Sequence, residues 1–415
     1  MKLALAHYSS SSDISGVTTW FERLILRLHN DGVKLYVHLH HFGDNPQSAT
    51  ILPALTKSGV SVEVVKRGRS LEADVRQTLD FLNRVQPTLF LPQCLNSHFF
   101  AAAIAGKQGL PWALTIHSDD PDYWAIANTR PPTEYGGKSV SVSEHIARML
   151  AERGIDHDSA VIPYGVNVLA QTANYRSSPF RVVYSGRIVE TQKRLSLVTA
   201  ALIRSCQINP NIYVKIIGDG PSLASSRKAV TDSGLTSRVT FTGRLTPMQV
   251  ERELIDAQAI LLMSDFEGLP VALLEAMAVG VVPVVRNISS GIPELVHHEH
   301  TGLLVDGQPE LAAQALSRLA HDPALWQSCS VAARQLVSER YSEDVCYQRW
   351  REFIDKLNST STVRYPLVIP DLSDLPVHDP RLGAGYPFPK VWYLKVASRL
   401  KRGVGDLGRI LGQRS

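Results

Sequence analysis

Short apolar segments alternate with amphipathic helical patterns along most of this 415-residue chain. The first such unit joins an apolar run at residues 3–6 to a second one at residues 33–39 through residues 17–30, where apolar side chains recur at helical spacing. Strands that are buried on both faces and separated by helices pack as a parallel sheet covered by helices on both sides. The alternation therefore predicts an α/β fold built on doubly wound parallel sheets.

A polar stretch at residues 170–179, which ends in a proline, divides this alternation into two series. The chain is also longer than a single hydrophobic core usually organises. We predict five segments, which are an N-terminal domain at 1–169, a linker at 170–179, a second domain at 180–340, a helix at 341–357, and a proline-rich connector with a basic tail at 358–415. Two doubly wound domains enclose a cleft, where the ligands of such sheets bind.

The overall composition excludes several classes of protein. With 44% hydrophobic and 20% charged residues, the chain is too apolar to be disordered. Its four cysteines are scattered without C-x-x-C spacing, which argues against a disulfide framework, a structural zinc site and a redox dithiol. No apolar run is long enough to span a membrane, and the N-terminus is typical of a first strand rather than a signal peptide. We therefore expect a cytoplasmic protein.

The charge is distributed unevenly along the chain. The formal net charge is +4, yet residues 390–415 hold seven lysines and arginines against one aspartate, with apolar residues spaced among them. A basic amphipathic segment suits an anionic membrane surface, and the near-neutral remainder does not suit nucleic acid. We predict peripheral contact of residues 390–415 with the inner face of a membrane; a disordered basic end is the alternative.

The most specific local pattern lies at residues 264–278. It follows a predicted strand and opens a helix with Pro270 at the predicted first helical position, so that backbone N–H groups face an anion such as phosphate. Glu267 precedes this helix and Glu275 lies one to two turns inside it, so the pair could hold two ends of one polar ligand. A helix-terminus carboxylate and a solvated helix residue are the alternative interpretations.

A second polar loop follows the strand predicted at residues 180–184. Arg187 and Lys193 bracket this loop and could neutralise a diphosphate leaving group, or be two solvated surface charges. Residues 217–221 resemble a dinucleotide-binding turn, but the full G-x-G-x-x-G pattern is absent and Pro221 removes a backbone donor. A nicotinamide-dependent enzyme is therefore disfavoured.

Together these segments resemble glycosyltransferase family 4, the retaining, sugar-nucleotide-dependent transferases of the group 1 type with the GT-B fold. The resemblance covers residues 1–357 and rests on segments in the family's order and spacing. The first two segments are the E-x7-E pair, Glu267 and Glu275, followed by residues 276–280, and the Gly186-Arg187 pair, followed by Lys193. The others are residues 217–220, 292–295 and 301–305 of the second domain and residues 142–144 and 162–167 of the first. The resemblance implies two Rossmann-like domains that face each other across a cleft.

The resemblance also implies a role for each matching residue of the second domain. Arg187 and Lys193 would hold the donor diphosphate, and Glu275 would hydrogen-bond the ribose. Glu267 would hold the donor sugar together with the backbone of Gly268, Leu269, Pro270 and Val271. No cofactor is implied beyond the nucleotide-sugar donor, for which a UDP-sugar is favoured over a GDP-sugar.

Two residues of the N-terminal domain match the family as well. His117 matches the histidine that approaches the transferred sugar. Gly16 matches a glycine whose backbone meets the phosphate across the cleft, although Ser15 stands where the family usually has a second glycine. Serine is less free than glycine to adopt a positive φ, which weakens this part of the match.

Three groups of residues resemble metal sites only superficially. Asp120-Pro121-Asp122 has a D-x-D pattern in a predicted loop, and His297-His298-Glu299-His300 lacks H-E-x-x-H spacing. The third group, His38, His40 and His41, ends a predicted strand. We interpret the two histidine groups as solvated loops and predict no metal site.

The resemblance therefore implies a retaining, metal-independent glycosyltransferase of polysaccharide biosynthesis. It would move a hexose or N-acetylhexosamine from a nucleotide-diphosphate sugar to a glycan or lipid-linked acceptor. One alternative is a sugar-nucleotide epimerase of the same fold, which the Glu267/Glu275 and Arg187/Lys193 pairs disfavour. The other is a catalytically silent sugar-nucleotide-binding subunit, which the intact motif positions disfavour.

Overall fold

The structure is a computed structural model and describes residues 1–11, 15–68, 70–129, 131–372 and 375. The predicted membrane-contacting segment, residues 390–415, lies outside the described residues. Among the described residues, no helix combines the length and the apolar character that crossing a bilayer requires.

The N-terminal half forms a seven-stranded parallel sheet in the order β3-β2-β1-β4-β5-β6-β7. Helices connect successive strands and cover both faces, so that β1 and β5 are almost wholly buried. The elements are β1 (Lys2–Ser10), α1 (Gly16–Asn30), β2 (Lys34–Phe42), α2 (Leu52–Lys57), β3 (Ser61–Lys66), α3 (Leu71–Val85), β4 (Leu89–Pro92), α4 (Asn96–Gly106), β5 (Trp112–Ile116), α5 (Pro121–Thr129), β6 (Gly137–Ser141), α6 (Glu144–Glu152) and β7 (Ala160–Val161).

The following half forms a six-stranded parallel sheet in the order β10-β9-β8-β11-β12-β13. Its elements are β8 (Phe180–Ser185), α7 (Leu195–Ile208), β9 (Ile212–Ile217), α8 (Leu223–Asp232), β10 (Val239–Gly243), α9 (Pro247–Ile255), β11 (Ala259–Leu262), α10 (Val271–Ala278), β12 (Val282–Arg286), α11 (Ile292–Leu295), β13 (Leu303–Val305), α12 (Pro309–His321) and α13 (Pro323–Arg340). The prediction of two doubly wound, Rossmann-like parallel sheets is confirmed.

The last described helix, α14 (Glu343–Asn358), returns to the first sheet domain. Its Trp350 packs against Trp20 of α1, with ring centroids 5.5 Å apart, and the Tyr347 hydroxyl donates a hydrogen bond to Asp31. Just before α14, Ser342 forms a β-bridge with Val166. The chain therefore crosses between the domains twice, which joins them at the end where α1 and α14 meet.

Several local predictions differ from the structure. Strand β3 and helices α3 and α13 were not predicted, and Asp120-Pro121-Asp122 falls at the start of α5 rather than in a loop. The interpretation of His38, His40 and His41 as solvated is wrong, because β2 continues to Phe42 as an inner strand and all three side chains are at most 1% exposed. His297-His298-Glu299-His300 forms an exposed turn, as predicted.

Candidate active site

The predicted site residues come from loops at the carboxyl ends of both sheets. In the second domain, β8 leads into the loop that carries Arg187 and Lys193, and β11 leads into the loop that carries Glu267. In the first domain, β5 ends directly before His117, and α1 begins at Gly16. Because strands of a parallel sheet end on the same edge, each domain presents its loops as one surface.

Lys193 and Glu267 form a mostly buried ion pair. Lys193 Nζ donates a hydrogen bond to Glu267 Oε1 at 2.5 Å, and the two side chains are only 15% and 7% exposed. The surrounding loops are tied together, since the Asp265 N–H donates to the Gln192 carbonyl at 2.9 Å and the Gln192 amide donates to the Phe266 carbonyl at 3.2 Å. The pair is therefore held in one geometry before any ligand binds.

Arg187 lies at the exposed mouth of the same loop. Its guanidinium donates to Gln192 Oε1 at 2.5 Å, and its carbonyl accepts a hydrogen bond from the Tyr184 hydroxyl at 2.7 Å. Gln192 thus joins Arg187 to the loop that follows β11. Since the Gln192 amide is neutral, this contact orients Arg187 without neutralising its positive charge.

The turn before α10 packs directly on the first domain. A Cβ at Gly268 would come within 2.2 Å of the His117 carbonyl oxygen, and one at Gly16 within 3.1 Å of Val271 Cβ. Pro270 has an extended ψ of 109° and is the N-cap, so the helix starts at Val271, one residue later than predicted. The first residue of α10 therefore faces Gly16, the glycine predicted to meet phosphate.

Glu275 lies further along α10, on the side facing α1. Its Oε1 lies 3.6 Å from Arg23 Nη2, and each side chain is about a quarter exposed (24% and 23%). Burial raises the pKa of Glu275 above its ordinary value, the nearby Arg23 charge opposes this shift, and Glu251 adds to it. The carboxylate is thus near the domain boundary and open to a ligand on one side.

His117 is buried and both of its ring nitrogens have partners. Nε2 lies 2.7 Å from Gln93 Oε1, and Nδ1 lies 2.7 Å from the Tyr164 hydroxyl. Because an amide oxygen accepts, these contacts assign the proton to Nε2 and make Nδ1 the acceptor. Burial, assisted by His7, lowers the pKa of His117 to about 3, so the ring is neutral at physiological pH.

Three residues that contact the predicted site or its surroundings were not singled out from the sequence. Tyr164 and Glu294 fall inside segments that the resemblance marked as landmarks, and Gln93 gave no sequence signal. The Glu294 carboxylate accepts from the backbone N–H groups of Glu144 and His145 at 3.1 and 2.8 Å, so a residue of the second domain caps helix α6 of the first. These contacts hold the domains together beside the site.

The Ser118 hydroxyl is a buried polar group at this junction. Ser118 follows His117, and its Oγ makes no hydrogen bond among the described residues. A buried hydroxyl without a partner is costly, so a polar ligand at this position would stabilise it.

Similar solved structures have the same two-domain architecture. The chain aligns with Anabaena HepE, solved in complex with UDP and glucose, at a TM-score of 0.72 and 17% identity over 86% of this chain and 99% of that one. It aligns with Staphylococcus aureus TarM, solved with UDP among its ligands, at a TM-score of 0.70 and 11% identity over 85% and 99%. The fold is therefore that of the GT-B glycosyltransferases.

Family profiles extend this result to the sequence. The profile described as Glycosyltransferase Family 4 matches residues 14–168, and that described as Glycosyl transferases group 1 matches residues 170–336. The chain belongs to glycosyltransferase family 4, as the resemblance of its motifs indicated.

Two curated relatives are similar over part of their length. The amylovoran biosynthesis glycosyltransferase AmsK of Erwinia amylovora is 33% identical over 186 residues, which is 43% of this chain and 45% of the relative. The GDP-mannose-dependent α-(1-6)-phosphatidylinositol monomannoside mannosyltransferase of Mycobacterium tuberculosis is 33% identical over 181 residues, 42% of this chain and 46% of the relative. The chain thus spans less than half the length of these relatives.

Proposed function

We propose that this chain transfers a hexose or N-acetylhexosamine from a nucleotide-diphosphate sugar to a glycan or lipid-linked acceptor, with retention of configuration and without a catalytic metal ion. The observation that carries the proposal is the buried Lys193–Glu267 pair. In this pair, the Lys193 cation can bind a diphosphate, and the neighbouring Glu267 carboxylate can accept hydrogen bonds from sugar hydroxyls. Gly268, the next residue, lies against the backbone of His117.

The charges favour a diphosphate at the mouth of the β8 loop. Arg187 is exposed and is oriented by a neutral amide, so its charge remains available to an anion. Lys193 has three donor positions and uses one of them on Glu267. The two cations and the N-terminus of α10 can therefore stabilise the negative charge that grows on the departing diphosphate, which is the role that a metal ion has in other transferases.

The proposed reaction needs no nucleophile from the protein, because each bond that forms is matched by one that breaks. The bond between the sugar C1 and the diphosphate oxygen breaks, and the acceptor oxygen bonds to C1 on the same face. The acceptor proton passes to an oxygen of the leaving phosphate, which departs as the nucleoside diphosphate. Since His117 is neutral and both of its ring nitrogens are engaged by Gln93 and Tyr164, the proposed reaction does not use its ring as a base.

UDP is the proposed donor nucleotide. The Glu-Gly-Leu-Pro form of the motif at residues 267–270 supports it, as do the neighbours HepE, solved with UDP-glucose, and TarM, solved with UDP. The Mycobacterium relative is described as GDP-mannose-dependent, which makes GDP-sugars the necessary comparison. Names of relatives in amylovoran and colanic acid biosynthesis support a polysaccharide acceptor.

The test is turnover of a panel of UDP-, GDP- and ADP-sugars by the whole chain in EDTA, with crude membrane lipid as acceptor. We expect transfer from one class of donor, and proton NMR of the first product should show the donor's anomeric configuration. Glu267→Ala and Lys193→Ala should each lower transfer by about 10²-fold or more.

The same assay separates the alternatives. Conversion of the donor sugar into its epimer, without release of nucleoside diphosphate, would identify an epimerase instead. Tight nucleotide binding with no turnover on any acceptor fraction would favour a silent binding subunit. Inversion of configuration, or turnover that EDTA abolishes, would contradict the proposed mechanism.

A further inference from the structure

We propose that His38, His40 and His98 form a buried site for a transition-metal ion of the Zn²⁺ type in the first domain. His38 and His40 stand two residues apart on β2 and therefore on one face of the sheet, where His98 of α4 meets them. One ring nitrogen from each residue lies within 4.8 Å of the others, and all three side chains are fully buried. Nothing in the proposed transfer reaction uses these residues.

Two of the rings already have the outer contacts that metal-binding histidines show. His38 Nδ1 lies 3.2 Å from Glu63 Oε1, the residue opposite it on β3, a close contact that does not have the angle of a hydrogen bond. His98 Nδ1 lies 3.4 Å from the Gln93 carbonyl oxygen. A histidine ligand usually donates its second ring N–H to a carboxylate or a carbonyl, which fixes the tautomer and directs the other nitrogen at the metal. His98 is therefore set to offer Nε2, whereas His38 has two ring nitrogens that make no hydrogen bond among the described residues and can offer either one.

The free nitrogen of His38 is an unsatisfied polar atom in the core. His38 Nε2 makes no hydrogen bond among the described residues, and its ring stacks on Phe81 at a centroid distance of 4.6 Å. A buried imidazole nitrogen without a partner is costly, because it has lost its contacts with water. A bound metal ion would provide the missing partner.

His40 connects the other two ligands. Its Nδ1 lies 2.9 Å from His98 Nε2, and since His98 already donates through Nδ1, the proton in this contact belongs to His40. Metal binding would move that proton to His40 Nε2, which makes no hydrogen bond among the described residues. The neighbouring Gln77 side chain interacts with His40 and has a buried Oε1 that can accept it. The switch requires no net loss of a proton.

The electrostatic environment permits a cation. Arg67, a positive charge near His40, is paired with the buried carboxylate of Asp74 at 3.2 Å. Glu63 places a carboxylate beside His38, and its other oxygen is paired with Arg84 at 2.6 Å.

The chemistry and the burial define the kind of site. Imidazole ligands suit Zn²⁺, Co²⁺, Ni²⁺ and Cu²⁺ rather than Mg²⁺ or Ca²⁺. Zinc at ~2.0–2.1 Å from each nitrogen would separate the nitrogens by about 3.4 Å. His40 and His98, whose nitrogens are 2.9 Å apart, must therefore separate slightly on binding, and His38 must approach them. Because every ligand is enclosed, the ion would stabilise β2 against α4. It would also hold Gln93, which contacts His98 through its carbonyl and His117 through its side chain.

The test uses the whole chain without a histidine tag, produced in medium supplemented with Zn²⁺ or Co²⁺ so that the ion is present during folding. We expect one ion per chain after gel filtration, measured by mass spectrometry. X-ray absorption should show imidazole nitrogens as ligands, and the Co²⁺ protein should show ligand-field bands. A chelator should lower the melting temperature of the loaded protein.

His98→Gln should remove the ion, whereas His41→Gln should keep it. His41 is the matched control, because it is an equally buried histidine of β2 whose nitrogens lie 3.1 and 3.3 Å from the hydroxyls of Ser9 and Ser48. If His98→Gln does not fold, X-ray absorption on the unmodified protein still tests whether imidazole nitrogens bind the ion. A folded wild type without a bound ion, an ion with no imidazole ligands, or loss of the ion from His41→Gln would overturn the proposal.

Discussion

Replacing Lys193 by alanine removes the cation that we place against the donor diphosphate. Its side chain is 15% exposed and its amino group donates to Glu267 at 2.5 Å, so the charge is fixed in place and poorly hydrated. A hydrogen bond to a charged group contributes about 1.5–3 kcal/mol, and removing one preorganised donor from developing transition-state charge costs about 2.7–4 kcal/mol. We expect kcat/KM of Lys193→Ala to fall by about 10²–10³-fold.

Steady-state transfer assays and calorimetric binding of UDP measure this effect, with Glu267→Gln as the informative partner. Lys193→Ala should weaken UDP binding, because it loses the contact with the diphosphate. Glu267→Gln should keep UDP affinity and lose turnover, because its carboxylate is proposed to contact the sugar. The matched control is Lys215→Ala on β9, which breaks a partly exposed ion pair with Glu253 of α9. Its kcat/KM should change by about twofold or less, since such pairs contribute about 0–1 kcal/mol.

A purely structural ion pair would behave differently. Both Lys193→Ala and Glu267→Gln would then leave one buried group unpaired and destabilise the fold by about 1–3 kcal/mol. Activity per folded molecule and UDP affinity would remain those of the wild type in both variants. That result would refute the reasoning that places the diphosphate at Lys193.

Three further predictions concern other parts of the site. Glu275→Ala should raise KM for the donor about tenfold with kcat unchanged, as expected for a lost ribose hydrogen bond of about 1.5 kcal/mol. Gly268→Ala should lower kcat/KM by about 10²-fold, because its Cβ would meet the His117 carbonyl oxygen at 2.2 Å and displace the turn; circular dichroism checks that the variant folds. The pKa of His117 is lowered from 6.5 to about 3 by folding. Between pH 6.5 and pH 3, the histidine therefore takes up a proton in the unfolded chain but stays neutral in the folded chain. Urea unfolding should therefore show that the free energy of unfolding decreases below pH 6.5. The slope of this decrease should be smaller in His117→Gln than in the wild type, by up to about 1.4 kcal/mol per pH unit.

The sequence predicts most of the fold because the inner strands are continuous apolar runs. Strand β5 is buried at every position and was readily predicted. Strand β3, at the sheet edge, alternates charged and apolar residues and has no fully buried position, so it gave no such signal. Helix α13 was also not predicted, because the small and polar residues around Trp326 give its buried face no clear apolar pattern in the sequence.

The positions of polar side chains were harder to predict from the sequence. His38 and His40 were interpreted as solvated because histidine type alone does not indicate burial, which here results from α3 and α4 covering β2. The partner of His117, Gln93, lies 24 positions away on another strand end, and only the tertiary fold brings the two together. The roles of Arg187, Lys193, Glu267 and Glu275 remain predictions from the family resemblance, which the geometry supports and assays must test.

A crystal structure of the chain with UDP bound tests the central claim most directly. The account predicts that the diphosphate lies between Arg187 and Lys193 at the start of α10, within hydrogen-bonding distance of Lys193 Nζ, with the ribose against Glu275. UDP bound outside this cleft, or bound with Lys193 still contacting Glu267 alone, would contradict it.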